Sequence, residues 1–211
     1  MNNKFVIGYY HLADMVTMLG LVFGILACFM VGSNPVVGML FLALAGLCDS
    51  MDGRIARASK NSTKREKFYG VQLDSLCDMA SFGVAPCIMA YRLGYDTAFD
   101  LILYAVFACC GAIRLANFNT EAAMDTPDLK MNHFTGFPIP TSVLVFPLPL
   151  ILHLLTGGSA GWLFRILFLA VAFGYISRIR IPKPTGKQQL YIIGAVAAML
   201  LILIIIALVQ K

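Results

Sequence analysis

Four aspartates recur at regular spacing in the stretch CDSMDGRIARASKNSTKREKFYGVQLDSLCDM, residues 48–79. Asp49 and Asp52 are three residues apart, Asp74 and Asp78 four, so on a helix each pair shares one face. Facing pairs would gather hard oxygen ligands of the kind that hold Mg²⁺ or Mn²⁺. Two such ions roughly 3.5–4 Å apart form the usual clamp for displacement at phosphorus. Arg54 and Arg57 offer a second reading, a purely structural ion cluster. Carboxylates outnumber the helix-borne arginines nearby, which favours the two-metal site.

The elements that must position these groups lie in hydrocarbon. The chain has 211 residues, 59% of them hydrophobic and only 13% charged, with a mean hydropathy of +0.80. That excludes a soluble domain and predicts a polytopic membrane protein, all-α, folded as one helix bundle. A bilayer core needs about 20 apolar residues per helix. Seven runs qualify: 13–31, 35–57, 72–93, 98–116, 138–155, 160–178 and 188–209. Gly, Pro, Asn and Ser break the connections, and Pro138, Pro140, Pro147 and Pro149 are expected to kink or delimit the fifth run. The N-terminus has no basic n-region or cleavage site, so no signal peptide is expected. No repeat or linker marks a second domain, so 1–211 reads as a single domain. Six cysteines fall in or beside apolar runs without metal-type spacing and read as packing residues.

Basic residues set the orientation. With the N-terminus inside, 13 of the 16 Lys and Arg fall on the cytoplasmic side, leaving Arg92, Arg165 and Lys211 elsewhere. The aspartate stretch then faces the cytoplasm of a multi-pass cell-membrane protein. Lys60, Lys64, Arg65 and Lys67 signal topology and would also attract anionic headgroups or phosphate-bearing substrates. No nucleic-acid partner is expected.

The pattern D49-x-x-D52-G53-x-x-A56-R57, followed by G70-x-x-x-D74-x-x-x-D78, resembles the signature of the CDP-alcohol phosphotransferase family. That family consists of membrane enzymes with a six-helix core that usually dimerise. The resemblance implies a core over about 10–184 with an extra C-terminal span over about 188–209, and a homodimer among membrane lipids. It implies that Asp49, Asp52, Asp74 and Asp78 bind two Mg²⁺ or Mn²⁺ ions, with Asp78 also the base toward the acceptor hydroxyl. It implies too that Asp49, Gly53, Ala56, Arg57 and Gly70 line the CDP site. Small residues let a nucleotide approach the backbone, and Arg57 offers a planar fork to oxygen. One departure is the gap 58–69, twelve residues where many members have about eight; its polar residues read as a longer cytoplasmic loop.

Further stretches bear on the acceptor. QLDSLCD (72–78), MASFGVAP (79–86), GAIRLANFN (111–119), FTGFPIP (134–140) and SRIRIPKP (177–184) resemble the branch that uses serine. The implied reaction transfers a phosphatidyl group from CDP-diacylglycerol to L-serine, releasing CMP. The glycerophosphate-using branch typically reads D-P-x-A-D-K, where this chain has Ser75 and Met79 in place of the Pro and the Lys. Glycerol phosphate, inositol or its phosphate, choline, and an archaeal ether-lipid donor stay open as alternatives. Arg114 reads either as a snorkelling residue at the end of the fourth helix or as a contact to the serine carboxylate or a phosphate. Arg178, Arg180 and Lys183 form a basic cluster that signals topology or closes the pocket. His133, in a loop over 117–137, reads as solvated, and His11 and His153 carry no role.

Two other classes fit less well. A prenyltransferase also binds diphosphate through Asp-rich helices but lacks the G-x-x-A-R element, and a cation transporter wants its carboxylates near the midplane. Metal-dependent release of CMP from CDP-diacylglycerol separates the phosphotransferase from both. A cysteine-accessibility scan should place residues 58–69 and 179–187 in the cytoplasm and residues 156–159 outside. Labelling of 58–69 from the outside overturns the orientation.

Overall fold

The computed structural model of the chain describes residues 7–58, 62–124, 133–159, 161–182 and 186–209. Among the described residues, seven helical rods stand where the apolar runs predict them. They are α1 (Leu12–Met30), α2 (Pro35–Ala58), a third rod, α5 (Ala98–Met124), a broken fifth rod, α8 (Gly161–Ile176) and α9 (Gly186–Val209). The third rod is α3 (Lys64–Asp78), a π-helical turn (Met79–Val84) and α4 (Ala85–Arg92); the fifth is α6 (Thr141–Val145) and α7 (Pro147–Thr156). Among the described residues, five helices are long and apolar enough to cross a bilayer, and the rods Thr141–Thr156 and Gly161–Ile176 are shorter. This is a multi-pass membrane protein of the all-α class.

Prolines act where expected. Pro140 stands at the start of α6, and Pro147 opens α7 after the break at Phe146. The π-turn has a related cause. Pro86 has no N–H to give residue 82, and its ring would press on that carbonyl in a regular helix; a wider turn just ahead of it relieves the conflict.

Three boundaries differ from the sequence expectation. α3 starts at Lys64 rather than 72, because Thr63 accepts the Glu66 N–H at 3.3 Å while Glu66 accepts the Thr63 N–H at 2.7 Å. The longer loop is therefore partly helix; residues 59–61 lie outside the described residues. α5 runs to Met124, so the loop read over 117–137 is shorter. The backbone of His133–Thr135 forms β1, antiparallel to β2 (Arg180–Pro182), with Thr135 opposite Arg180 and His133 opposite Pro182. Strands of three residues carry no legible period.

α1 packs on α2 and the third rod through a face of small or polar residues, Asp14, Thr17, Gly20, Gly24 and Ala27, at helical spacing. Such faces let membrane helices approach closely. α5 packs on α8 through Phe107, edge-on to Phe168 at 4.8 Å between centroids, and Phe146 at the break in the fifth rod lies edge-on to the same ring at 4.9 Å. FTGFPIP docks on the end of α8. Gly136 has φ +78°, and an added Cβ there would stand 2.6 Å from the Tyr175 carbonyl. Phe137 N–H donates to Gly174 and Tyr175 Oη donates to the Ile139 carbonyl, each at 2.9 Å.

At the end of the bundle away from the aspartate stretch, Asp100 is 1% exposed. Arg165 Nε and Nη2 donate to its two oxygens at 2.7 and 2.9 Å, and Thr97 adds its hydroxyl. Beside them Tyr95 Oη and His153 Nδ1 are 2.6 Å apart, which gives His153 a packing partner. Arg165→Met leaves the Asp100 carboxylate short of two donors and should lower stability by about 1–3 kcal/mol. Thermal unfolding in detergent should show this, with partial recovery when Asp100→Asn is added; an unmoved midpoint contradicts it.

Candidate active site

α2 and α3 bring their carboxylates together at one end of the bundle. The oxygens of Asp49, Asp74 and Asp78 lie within 4.8 Å of one another, and Asp49 and Asp78 are in side-chain hydrogen-bond contact. Asp52 stands one turn further along α2. It is buried, and its Oδ2 accepts the Thr17 hydroxyl at 2.5 Å. Asp49, Asp52 and Asp78 line one small cavity with Thr17 and Ser81. All four sequence-predicted aspartates thus meet, three as a tight cluster and the fourth held by α1.

The clustered donors, Asp49, Asp74 and Asp78, are all carboxylate oxygens, with Cys77 also lining the cavity. Ser81 Oγ, 2% exposed, also lines this cavity and has no hydrogen-bond partner among the described residues. Hard divalent cations take carboxylate, hydroxyl and water oxygens at such sites, so the residues present fit one.

α1 contributes two groups that sequence reasoning missed. Thr17 orients Asp52. Asp14, 5% exposed, lies within electrostatic reach of Asp52, and its Oδ2 accepts the His11 N–H at 3.0 Å. Its Oδ1 is 3.4 Å from where a Cβ on Gly70 would stand, an ordinary contact that sets Asp14 beside Gly70. The signal was present as D14-x-x-T17-x-x-G20-x-x-x-G24-x-x-A27, a polar and small stripe on an otherwise apolar helix.

Gly53, Ala56 and Arg57 occupy the last turns of α2. Arg57 is exposed, lies within electrostatic reach of Asp52, and its Nη1 would be 3.4 Å from a Cβ on Gly53. Arg114 stands ten residues before the end of α5, not at its end, and is buried. A snorkelling position is therefore replaced by an inward one. Its guanidinium lies 5.4 Å from the Phe118 ring centroid and within electrostatic reach of Asp78, Asp49 and Asp74. Arg178 lines a second cavity with Arg114, while Arg180 belongs to β2. Lys183 lies outside the described residues. Ser75 donates to Asn119 at 2.9 Å, tying α3 to the ANFN stretch of α5.

Comparison with known proteins follows the same residues. The family model for CDP-alcohol phosphatidyltransferase matches residues 10–177. A Saccharomyces cerevisiae protein named CDP-diacylglycerol–serine O-phosphatidyltransferase is 39% identical over 63% of this chain and 51% of its own length. A Methanocaldococcus jannaschii protein of the same name is 32% identical over 86% of this chain and 78% of its own. An archaetidylserine synthase of Methanothermobacter thermautotrophicus is 29% identical over 88% of this chain and 76% of its own. The chain thus spans about half of the yeast relative and about three quarters of the other two. No solved structure matches.

The aspartates depend on the close approach of α1 to the π-turn. A Cβ added at Gly24 would stand 2.8 Å from Ser81 Cβ and 3.0 Å from its Cα. Gly24→Val should therefore wedge α1 away from the residues just after Asp78 and cost about 1–3 kcal/mol. Thermal unfolding should register the loss, and a wild-type midpoint in this variant contradicts the packing described.

Proposed function

The chain belongs to the CDP-alcohol phosphatidyltransferase family, and from that premise we propose that it transfers a phosphatidyl group from CDP-diacylglycerol to L-serine, releasing CMP and forming a phosphatidylserine. The observation that carries the reading is the convergence of Asp49, Asp74 and Asp78 within 4.8 Å. The names of the relatives support serine as the acceptor.

Asp49, Asp52, Asp74 and Asp78 would hold two Mg²⁺ or Mn²⁺ ions. Bound there, the ions supply charge neutralisation on the diphosphate and the departing CMP. Asp78 takes the proton of the acceptor hydroxyl. The acceptor oxygen then forms its bond to the lipid-linked phosphorus as the bond to the CMP oxygen breaks. Gly53, Ala56 and Gly70 leave space for the nucleotide along α2 and α3, and Arg57 meets its oxygens with a planar fork. Arg114, buried beside Asp78, binds the acceptor carboxylate or a phosphate, and Arg178 and Arg180 close the pocket. The site faces the cytoplasm of the cell membrane, and the single domain works as a homodimer. An ether-lipid donor is the second reading, supported by the archaetidylserine synthase among the relatives.

Two measurements test this. With purified protein, Mn²⁺ or Mg²⁺ and CDP-diacylglycerol, L-serine should yield CMP and a phosphatidylserine, whereas sn-glycerol 3-phosphate and inositol should not. Product from glycerol phosphate alone sinks the serine assignment. Asp78→Asn should lower turnover by about 10²–10⁴-fold with folding preserved; retention of more than roughly a tenth of the activity removes Asp78 as the base.

A further inference from the structure

A second cavity, of about 440 Å³, opens between the ends of α5 and α8. Arg114, Asn117 and Glu121 line it from α5, and Tyr175, Ser177 and Arg178 from α8 and the residues after it. Arg114 joins it to the aspartate cluster, since the same guanidinium lies within electrostatic reach of Asp78.

Arg114, Asn117 and Glu121 follow one another at i, i+3 and i+7, so one face of α5 presents a cation, an amide and an anion in order outward from the aspartates. Asn117 Nδ2 donates to Glu121 Oε1 at 2.7 Å. That bond orients the carboxylate and leaves its other oxygen to accept. Arg114 and Arg178 share this cavity with the Glu121 carboxylate, so both signs of charge line one chamber. Such a chamber repays a zwitterion at both ends. A phosphate dianion gains from the arginines but is repelled by Glu121, and a neutral polyol gains from neither. The axial rise from Arg114 to Glu121 is about 10 Å, and the cavity between them has room for a small amino acid.

We infer that Glu121, oriented by Asn117, binds the ammonium group of the acceptor and so selects an amino-acid alcohol. This rests on the serine reading above. Arg114 is assigned the carboxylate end, which leaves the hydroxyl directed toward Asp78.

The test compares L-serine with 3-hydroxypropanoate, which keeps the hydroxyl and carboxylate and lacks the ammonium, as acceptors for full-length protein with CDP-diacylglycerol. Glu121→Gln should raise the KM for L-serine by about tenfold or more, the size of a lost charge-assisted hydrogen bond. Turnover at saturation and the KM for CDP-diacylglycerol should stay near wild type, and the preference for L-serine over 3-hydroxypropanoate should shrink by the same factor. Asn117→Ala, which frees the Glu121 carboxylate, should give a smaller rise of the same kind. An unmoved serine KM in Glu121→Gln, or equal losses with both acceptors, overturns the inference and leaves the serine reaction standing. Absence of product from L-serine with the wild-type protein overturns the reaction itself, and Glu121's role with it.

Discussion

Carboxylates whose oxygens crowd within 4.8 Å of one another repel, and in a bundle facing hydrocarbon they cannot move apart into water. The rest of this half of the molecule is arranged around that repulsion. α1 offers glycines and alanine instead of large side chains, so α2 and the third rod close on it, and the cluster is built from three helices instead of two. Thr17 removes Asp52 from the crowd by giving it a hydroxyl of its own. Arg114 supplies the nearest buried positive charge. What remains around Asp49, Asp74 and Asp78 is an excess of negative charge and oxygen, a composition that a cation completes.

The opposite end of the bundle shows the same problem closed. Asp100 is also covered from solvent, yet a bidentate arginine and a threonine hydroxyl satisfy it. One acid is met by a cation and a hydroxyl, whereas Asp49, Asp74 and Asp78 crowd against one another. That contrast, within a single fold, separates a carboxylate that holds helices together from carboxylates kept available for a ligand.

Much of this was legible in the sequence because two strong signals carried it. Apolar run length places all seven rods, and prolines place the break in the fifth. The i, i+3 and i, i+4 spacing of the aspartates places their common faces. What escaped depends on weaker or tertiary signals. Thr63 and Glu66 spell a capping box, but the polar residues between two apolar runs read more readily as loop. The extension of α5 through Asn117 and Glu121 is polar, so hydropathy stops at 116 although the helix does not. Asp14 and Thr17 sit near the start of α1, where a polar residue is ordinarily interfacial; their burial comes from the neighbouring helices. The pairing of Asp100 with Arg165 spans 65 residues and has no local signature.

The π-turn at Met79–Val84 acts as a phase correction in the third rod. An α-helix advances about 100° per residue, and the turn accommodates one residue more than a regular helix would. Ahead of it the rod presents Asp74 and Asp78 to α2; behind it the rod presents Met89 and Ala90 to the core. Chemistry and packing therefore occupy angular frames that are set separately. A side-chain substitution within 79–84 leaves the number of residues between the two frames unchanged. Loss of a single residue from 79–84 changes that number: it would swing the two aspartates by about a quarter turn relative to the packed half of their own helix, which makes the length of this segment a stricter requirement than its composition.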